Sequence, residues 1–182
     1  SDGSQSFCGN GSRCSVTYAQ SLGIINRETT FLAIDGVHEA FIDEEGLVHL
    51  KMGNVSQMEH SDSHYFINTG SPHWIEYVDD VKSVKIVPRA QKVRYNDRFK
   101  EKGTNVNFVA RNNGVLDVRT YERGVEDETL SCGTGVTAVA LSASGPALQE
   151  YRFKINVEGG QLQVSYNKTG EQNFENIYLI GP

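Results

Sequence analysis

The amino-acid sequence predicts a mixed helix-and-strand fold that is mostly β and consists of two similar halves. Cysteine opens a Cys-Gly-x-Gly motif twice, at residues 8–11 (CGNG) and 132–135 (CGTG), although the chain has only 3 cysteines. A stretch with helical periodicity follows each motif, and strand-like segments fill most of the remainder. The two motifs lie 132 − 8 = 124 residues apart. This repetition suggests an internal duplication with one cysteine in each half.

The first half begins with a helix, which the sequence predicts at residues 11–22. Cys14, Tyr18 and Leu22 recur at intervals of four, and we interpret this stripe, including Cys14, as core. Gly23 is typical of a helix C-terminus.

A strand meander follows this helix. Two strand-like segments flank Asp35-Gly36, a hairpin signal, and a third occupies residues 47–52. The chain then becomes polar over residues 55–64. We place the domain boundary there, which gives halves of residues 1–55 and 56–182.

The second half is predicted to begin with strands and to contain one apolar helix. Residues 79–103 carry many charges and are expected to be helical or irregular on the surface. A hairpin is predicted around Asn113-Gly114, and a helix at residues 136–144, where valine and alanine form one stripe. The last strands form a meander with a turn at Gly159-Gly160.

Composition limits the classes of function. The 182 residues carry a formal net charge of -6, which makes the chain a poor partner for phosphate backbones and argues against nucleic acid. No apolar run approaches the roughly 20 residues that span a bilayer. An odd number of cysteines in a chain of this length favours free thiols and a reducing compartment.

A cysteine at a helix start can take part in chemistry. Unpaired N–H groups and the helix dipole attract an anion there and lower the pKa of a thiol. If the two motifs face each other across a cleft, a carboxylate lies between two helix N-termini with one sulfur on each face of the neighbouring carbon. Such a site suits inversion of a stereocentre by two bases, without metal or organic cofactor. One motif alone is more often packing, and the five residues between Cys8 and Cys14 exceed usual zinc-ligand spacing.

The chain resembles diaminopimelate epimerase. The resemblance covers nearly the whole chain and is carried, in order, by DGSQSFCGNGSRC, TGSPH, GTNVNFV, YERGVEDET and SCGTGVTAVA. It implies an α+β fold in which each half is a β-barrel-like sheet around a central helix. It also implies cofactor-independent interconversion of L,L- and meso-2,6-diaminopimelate, a small-molecule substrate, in the cytoplasm, and a homodimer.

The resemblance also implies roles for individual residues. Cys8 and Cys132 match the catalytic thiol pair, and His73 and Glu122 match the residues that tune the pKa of the thiols. The matching substrate-binding residues are Gly9, Asn10, Ser71, Asn105, Glu122, Arg123, Gly133 and Thr134. The family usually has Asn where this chain has the shorter Ser71. It also has a longer segment before DGS, so we expect the first half, residues 1–55, to be incomplete at its N-terminus.

Two other functions stay open at this stage. A proline racemase or hydroxyproline epimerase shares the two-cysteine arrangement, but these enzymes typically carry His at the position of Asn10. An inactive, truncated module that still binds a carboxylate is the alternative from a different class. A phenazine-biosynthesis-type isomerase is disfavoured because it lacks the cysteine pair.

Overall fold

The structure is a computed structural model that describes residues 7–182. It has an α+β fold, which confirms the predicted class. Within the described residues the helices are α1 (Gly9–Ser21), α2 (Ile86–Arg94) and α3 (Gly133–Ser142). The strands are β1 (Glu28–Ala33), β2 (Gly36–Ile42), β3 (Val48–Lys51), β4 (Met58–His60), β5 (Tyr65–Asn68), β6 (Pro72–Tyr77), β7 (Asn105–Asn112), β8 (Val115–Glu122), β9 (Asp127–Thr129), β10 (Glu150–Val157), β11 (Gly160–Lys168) and β12 (Phe174–Gly181).

A single sheet joins the two halves. Its order is β1-β2-β3-β12-β11-β10-β8-β7-β6-β5-β4, with β9 paired to β8. The last strand, β12, lies antiparallel to β3, with Leu179 opposite Leu50. Val55 forms an isolated bridge with Phe174 at the start of β12. The C-terminal strand therefore ties the first half to the second, and the boundary at residue 55 stays a prediction.

Helix α3 is enclosed by the second half. All ten of its residues are buried, and it contacts β5, β6, β7, β8, β10, β11 and β12. A helix without a polar face requires such surroundings, since each turn must pack against apolar side chains. The sheet thus fixes the axis of α3, and with it the position of Cys132 at its start.

Helix α1 packs on β3 and on the start of α3, and one of its faces is exposed. Its buried residues are Gly9, Arg13 and Val16. The predicted stripe is wrong: Cys14 is exposed, and Tyr18 retains 66 % of its surface. The buried stripe, which contains Arg13, is offset by about one residue from the predicted stripe, which contains Cys14. The contacts with β3 and α3 decide which of the two stripes is buried.

The local turn signals are confirmed. Asn113 and Gly114 both have positive φ, 49° and 83°, as a two-residue hairpin requires. Helix α2 lies in the charged stretch 79–103, and the short strands β4 and β9 were not predicted. Within residues 7–182, no helix is long and apolar enough to cross a membrane.

Candidate active site

Cys8 and Cys132 occupy equivalent positions at the starts of α1 and α3. Each is the residue that caps its helix, with φ/ψ of -117°/101° for Cys8 and -120°/107° for Cys132. Ser12 N–H donates to the Cys8 carbonyl and Val136 N–H to the Cys132 carbonyl, both at 2.9 Å. The residues between each cysteine and Ser12 or Val136 make no helical hydrogen bond with their N–H groups, so these groups are oriented for an anion.

The two helix starts are in direct contact. A Cβ atom built on Gly133 would lie 3.4 Å from the Gly9 Cα, and one on either glycine would come within 2.9 Å of Leu179 Cδ2. The Asn10 side chain crosses the same gap, because its Nδ2 donates to the Ser131 carbonyl at 3.0 Å. The first glycine of each motif therefore permits this approach, since any side chain there would separate the two cysteines.

A small cavity of about 140 Å³ lies at this junction. The residues that line the cavity are Phe7, Cys8, Gly9, Asn10, Ser71, Asn105, Glu122, Arg123, Ser131, Cys132, Gly133 and Thr134. The cavity therefore brings together every site residue predicted from the sequence except His73. Larger grooves elsewhere on the surface contain neither cysteine. The chemistry is therefore best sought in this cavity.

The two thiols have different surroundings. Cys8 is exposed, and its sulfur accepts the Gly11 N–H at 3.3 Å. Burial raises the pKa of Cys132 to about 12, and the charge of Glu122 acts in the same direction. The expectation that the helix start lowers the thiol pKa is wrong for Cys132 in the ligand-free protein, because desolvation outweighs the hydrogen bonds from Thr134 and from the Gly135 N–H. Cys132 thus holds its proton at neutral pH.

His73 lies behind the cavity wall. Its side chain is fully buried, and its Nε2 lies 2.9 Å from Thr134 Oγ1, which in turn lies 3.5 Å from Cys132 Sγ. Burial lowers the pKa of His73 to about 3, and the charge of Arg123 contributes to this. The ring is therefore neutral at physiological pH, and its path to the sulfur runs through Thr134.

The opposite wall is organised by Asn105. Its Nδ2 donates to Ser71 Oγ at 2.8 Å, and its Oδ1 accepts the Arg123 N–H at 2.9 Å. Ser71 keeps its own hydroxyl proton for a ligand. Within the described residues Glu126 pairs with Arg94, and no carboxylate lies within 4.0 Å of the Arg123 guanidinium. A basic side chain without an acidic partner suits recognition of a carboxylate.

Three residues near the site were missed. Phe7 and Ser131 line the cavity immediately before the two cysteines, and Phe7 stacks on His38 with ring centroids 4.0 Å apart. Asn107 lies behind the wall, and its side chain contacts His73. Phe7 and Ser131 could have been found by extending each Cys-Gly-x-Gly motif by one residue towards the N-terminus. Asn107 is a single Asn in a strand, and no pattern in the sequence marks it.

Comparison with known proteins identifies relatives along the whole chain. The family model for diaminopimelate epimerase matches residues 65–182. A diaminopimelate epimerase from Flavobacterium psychrophilum is 46% identical over 186 residues, covering 100% of this chain and 72% of the relative. One from Aquifex aeolicus is 42% identical over 195 residues, covering 100% of this chain and 68% of the relative.

Solved structures show the same fold in more distant proteins. A hydroxyproline epimerase from Agrobacterium vitis, with bound trans-4-hydroxy-L-proline, superposes with a TM-score of 0.70 at 18% identity. The match covers 97% of this chain and 63% of that one. A probable proline racemase from Agrobacterium radiobacter gives a TM-score of 0.68 at 17% identity. At such identities the likeness concerns the fold alone.

Proposed function

The chain belongs to the diaminopimelate epimerase family, and we propose on that premise that it interconverts L,L- and meso-2,6-diaminopimelate with Cys8 and Cys132 as the two bases. The observation that carries the proposal is the junction of the two capped helices: both cysteines line one cavity of about 140 Å³, and the Gly9 and Gly133 backbones touch. A chain built only to bind a carboxylate needs one helix start, whereas inversion at carbon needs a group on each face.

The reacting carboxylate binds between the helix starts. The N–H groups of Gly9 and Asn10 face it from α1, and those of Gly133 and Thr134 from α3. Loss of the α-proton moves negative charge onto this carboxylate. Donors that are already oriented stabilise the charge as an oxyanion hole does, without any reorganisation of solvent.

The two sulfurs exchange roles across the substrate. The Cys8 thiolate removes the α-proton: the Cα–H bond breaks and an S–H bond forms. The Cys132 thiol then delivers its proton to the opposite face, so a new Cα–H bond forms and the thiolate remains on Cys132. The reverse reaction begins from that state. The raised pKa of Cys132 supports its role as the acid in the ligand-free protein.

Glu122 and Arg123 bind charged groups of the substrate. An ammonium group beside Glu122 offsets the negative charge that raises the Cys132 pKa, so binding makes the Cys132 thiolate easier to form. Arg123 takes a carboxylate, and Ser71 and Asn105 hold the distal end. The site works only with reduced thiols, which supports a cytoplasmic location; a homodimer stays a prediction.

Deuterium exchange tests this function. Purified protein and diaminopimelate are incubated in D₂O, and incorporation at the α-carbon is followed by NMR together with conversion of the isomers. Cys8→Ala and Cys132→Ala should each abolish conversion, because each face then lacks its acid or base. Cys14→Ala is the matched control, since its exposed thiol lies on the same helix but outside the cavity, and it should react like the wild type.

The results separate the competing functions. Full conversion by either active-site variant would refute the two-thiol mechanism. Saturable binding of diaminopimelate without deuterium incorporation would indicate the carboxylate-binding module. Incorporation into proline or hydroxyproline but not diaminopimelate would indicate the racemase.

A further inference from the structure

A chain of buried polar side chains leads from the sheet to the Cys132 sulfur. Thr120 Oγ1 donates to Asn107 Oδ1 at 3.0 Å, and Asn107 Nδ2 lies 3.2 Å from His73 Nδ1. His73 Nε2 and Thr134 Oγ1 continue the chain to the sulfur, as described above. All four side chains that precede the sulfur are at most 5% exposed. Solvent therefore cannot substitute for a missing partner in this chain.

The direction of these hydrogen bonds is fixed at Asn107. Its Nδ2 donates to the Trp74 carbonyl at 2.9 Å, and a carbonyl can only accept, so the amide cannot be reversed. The remaining amide proton points to His73 Nδ1, which must therefore be the unprotonated nitrogen. The proton of the neutral ring then lies on Nε2 and is donated to the Thr134 hydroxyl.

The direction of the hydrogen bond between Thr134 and Cys132 follows from the same count of donors and acceptors. Thr134 Oγ1 accepts from His73, so its own proton is free to be donated. Among residues 7–182 its only other hydrogen-bond partner is the Cys132 sulfur at 3.5 Å. A donor aimed at this sulfur favours its thiolate, which is the form that Cys132 must take when it acts as base.

Gly135 leaves the space that the hydrogen-bonded side chains of Asn107 and His73 occupy. A Cβ atom at this position would lie 2.6 Å from Asn107 Oδ1 and 3.2 Å from His73 Cε1. The second glycine of CGTG thus serves the packing of Asn107 and His73 against α3. Gly11, the corresponding residue of CGNG, has no such neighbours, because a Cβ atom there would meet only Cys8, with its Sγ 3.4 Å away.

We propose that Asn107 is a positioning residue for Cys132, which holds His73 as its Nε2–H tautomer so that the Thr134 hydroxyl donates to the Cys132 sulfur. The proposal rests on the function proposed above, because it concerns the use of Cys132 as a base. The charged groups nearest this chain are Arg123, which acts on His73, and Glu122, which acts on Cys132.

The tautomer is measured directly in ligand-free protein by ¹⁵N NMR of labelled histidine, with the His73 signals assigned by their loss in His73→Gln. Wild-type protein should show a neutral Nε2–H ring throughout pH 5–9. In Asn107→Asp the new carboxylate can only accept a hydrogen bond from the ring. The single proton of the neutral ring should therefore move from Nε2 to Nδ1. Thr120→Val is the control, because the Trp74 carbonyl still fixes the amide, and its ring should match the wild type. A neutral Nδ1–H ring in wild-type protein would overturn the proposal without any variant.

A double-mutant cycle tests the link to the sulfur. Asn107→Asp should lower the rate of α-deuterium exchange about tenfold, the effect of one hydrogen bond to a charged group. In a Thr134→Val background, which lacks the hydroxyl, the same substitution should change the rate less than about twofold. Equal losses in both backgrounds would show a merely structural role. Since the tautomer is read without substrate, failure of the activity and failure of this proposal are separate results.

Discussion

The buried, neutral state of His73 predicts a specific loss of stability in acid. The folded protein holds this ring neutral down to a pKa of about 3, whereas a histidine in the unfolded chain binds a proton below about 6.5. The unfolded state therefore binds more protons between these values. The contribution of His73 is fully present above pH 6.5 and is lost as the pH falls towards 3.

The size of the effect follows from the difference in pKa. At pH 4 the unfolded ring is protonated and the folded ring is not, which at 1.36 kcal/mol for each pH unit below 6.5 gives a loss of about 3 kcal/mol. Carboxylates titrate in the same range, so the wild-type curve alone cannot isolate it. The relevant quantity is the difference between wild type and His73→Gln, whose side chain does not titrate.

Urea denaturation at pH 7.5, 6, 5 and 4 measures this difference. We expect His73→Gln to be less stable than the wild type at pH 7.5 and to recover about 3 kcal/mol relative to it by pH 4. His60→Gln is the control, because it removes a histidine that is exposed and lies outside the buried wall of the site. A constant difference between wild type and His73→Gln across the range would refute the assignment of His73 as a buried neutral ring.

Two further substitutions test the same wall of the site. Gly135→Ala should lower the free energy of unfolding by about 1–3 kcal/mol, because its Cβ would lie 2.6 Å from Asn107 Oδ1; Gly53→Ala, with no atom within 4 Å, is the control in thermal unfolding. Cys132 has a pKa raised above its unfolded value of about 8.5, so its contribution is present below that pH and lost as the pH rises towards about 12. At pH 10 the wild type should have lost about 2 kcal/mol that Cys132→Ser does not lose, and parallel urea curves from pH 8 to 10 would contradict this.

Much of the fold follows from local signals in the sequence. Helix α3 combines a glycine-rich start with an apolar stripe, and the Asn113-Gly114 turn requires positive φ, so both could be predicted without tertiary information. The same reasoning gave the wrong face of α1. Cys14 and Arg13 lie on adjacent stripes of one helix, and only the contacts with β3 and α3 decide which stripe is buried.

The candidate site was predictable where it repeats and unpredictable where it does not. Two copies of Cys-Gly-x-Gly indicate a shared centre, because each copy places a thiol at a helix start. The environment of each thiol depends on residues distant in sequence. Each sulfur has a backbone donor, from Gly11 or Gly135, but desolvation, Glu122 and Thr134 also act on Cys132, whereas Cys8 is exposed.

The two motifs therefore share a sequence pattern but differ in their surroundings. Their first glycines do the same work, since Gly9 and Gly133 let the helix starts touch. Their last glycines differ in packing: a Cβ atom at Gly11 would meet only Cys8, whereas Gly135 leaves space for the side chains of Asn107 and His73. Both thiols alternate between acid and base, but Cys8 is exposed to solvent and Cys132 is only partly so. For Cys132, whose pKa desolvation raises, the hydrogen-bonded series through Thr134 holds a donor at the sulfur that favours the thiolate.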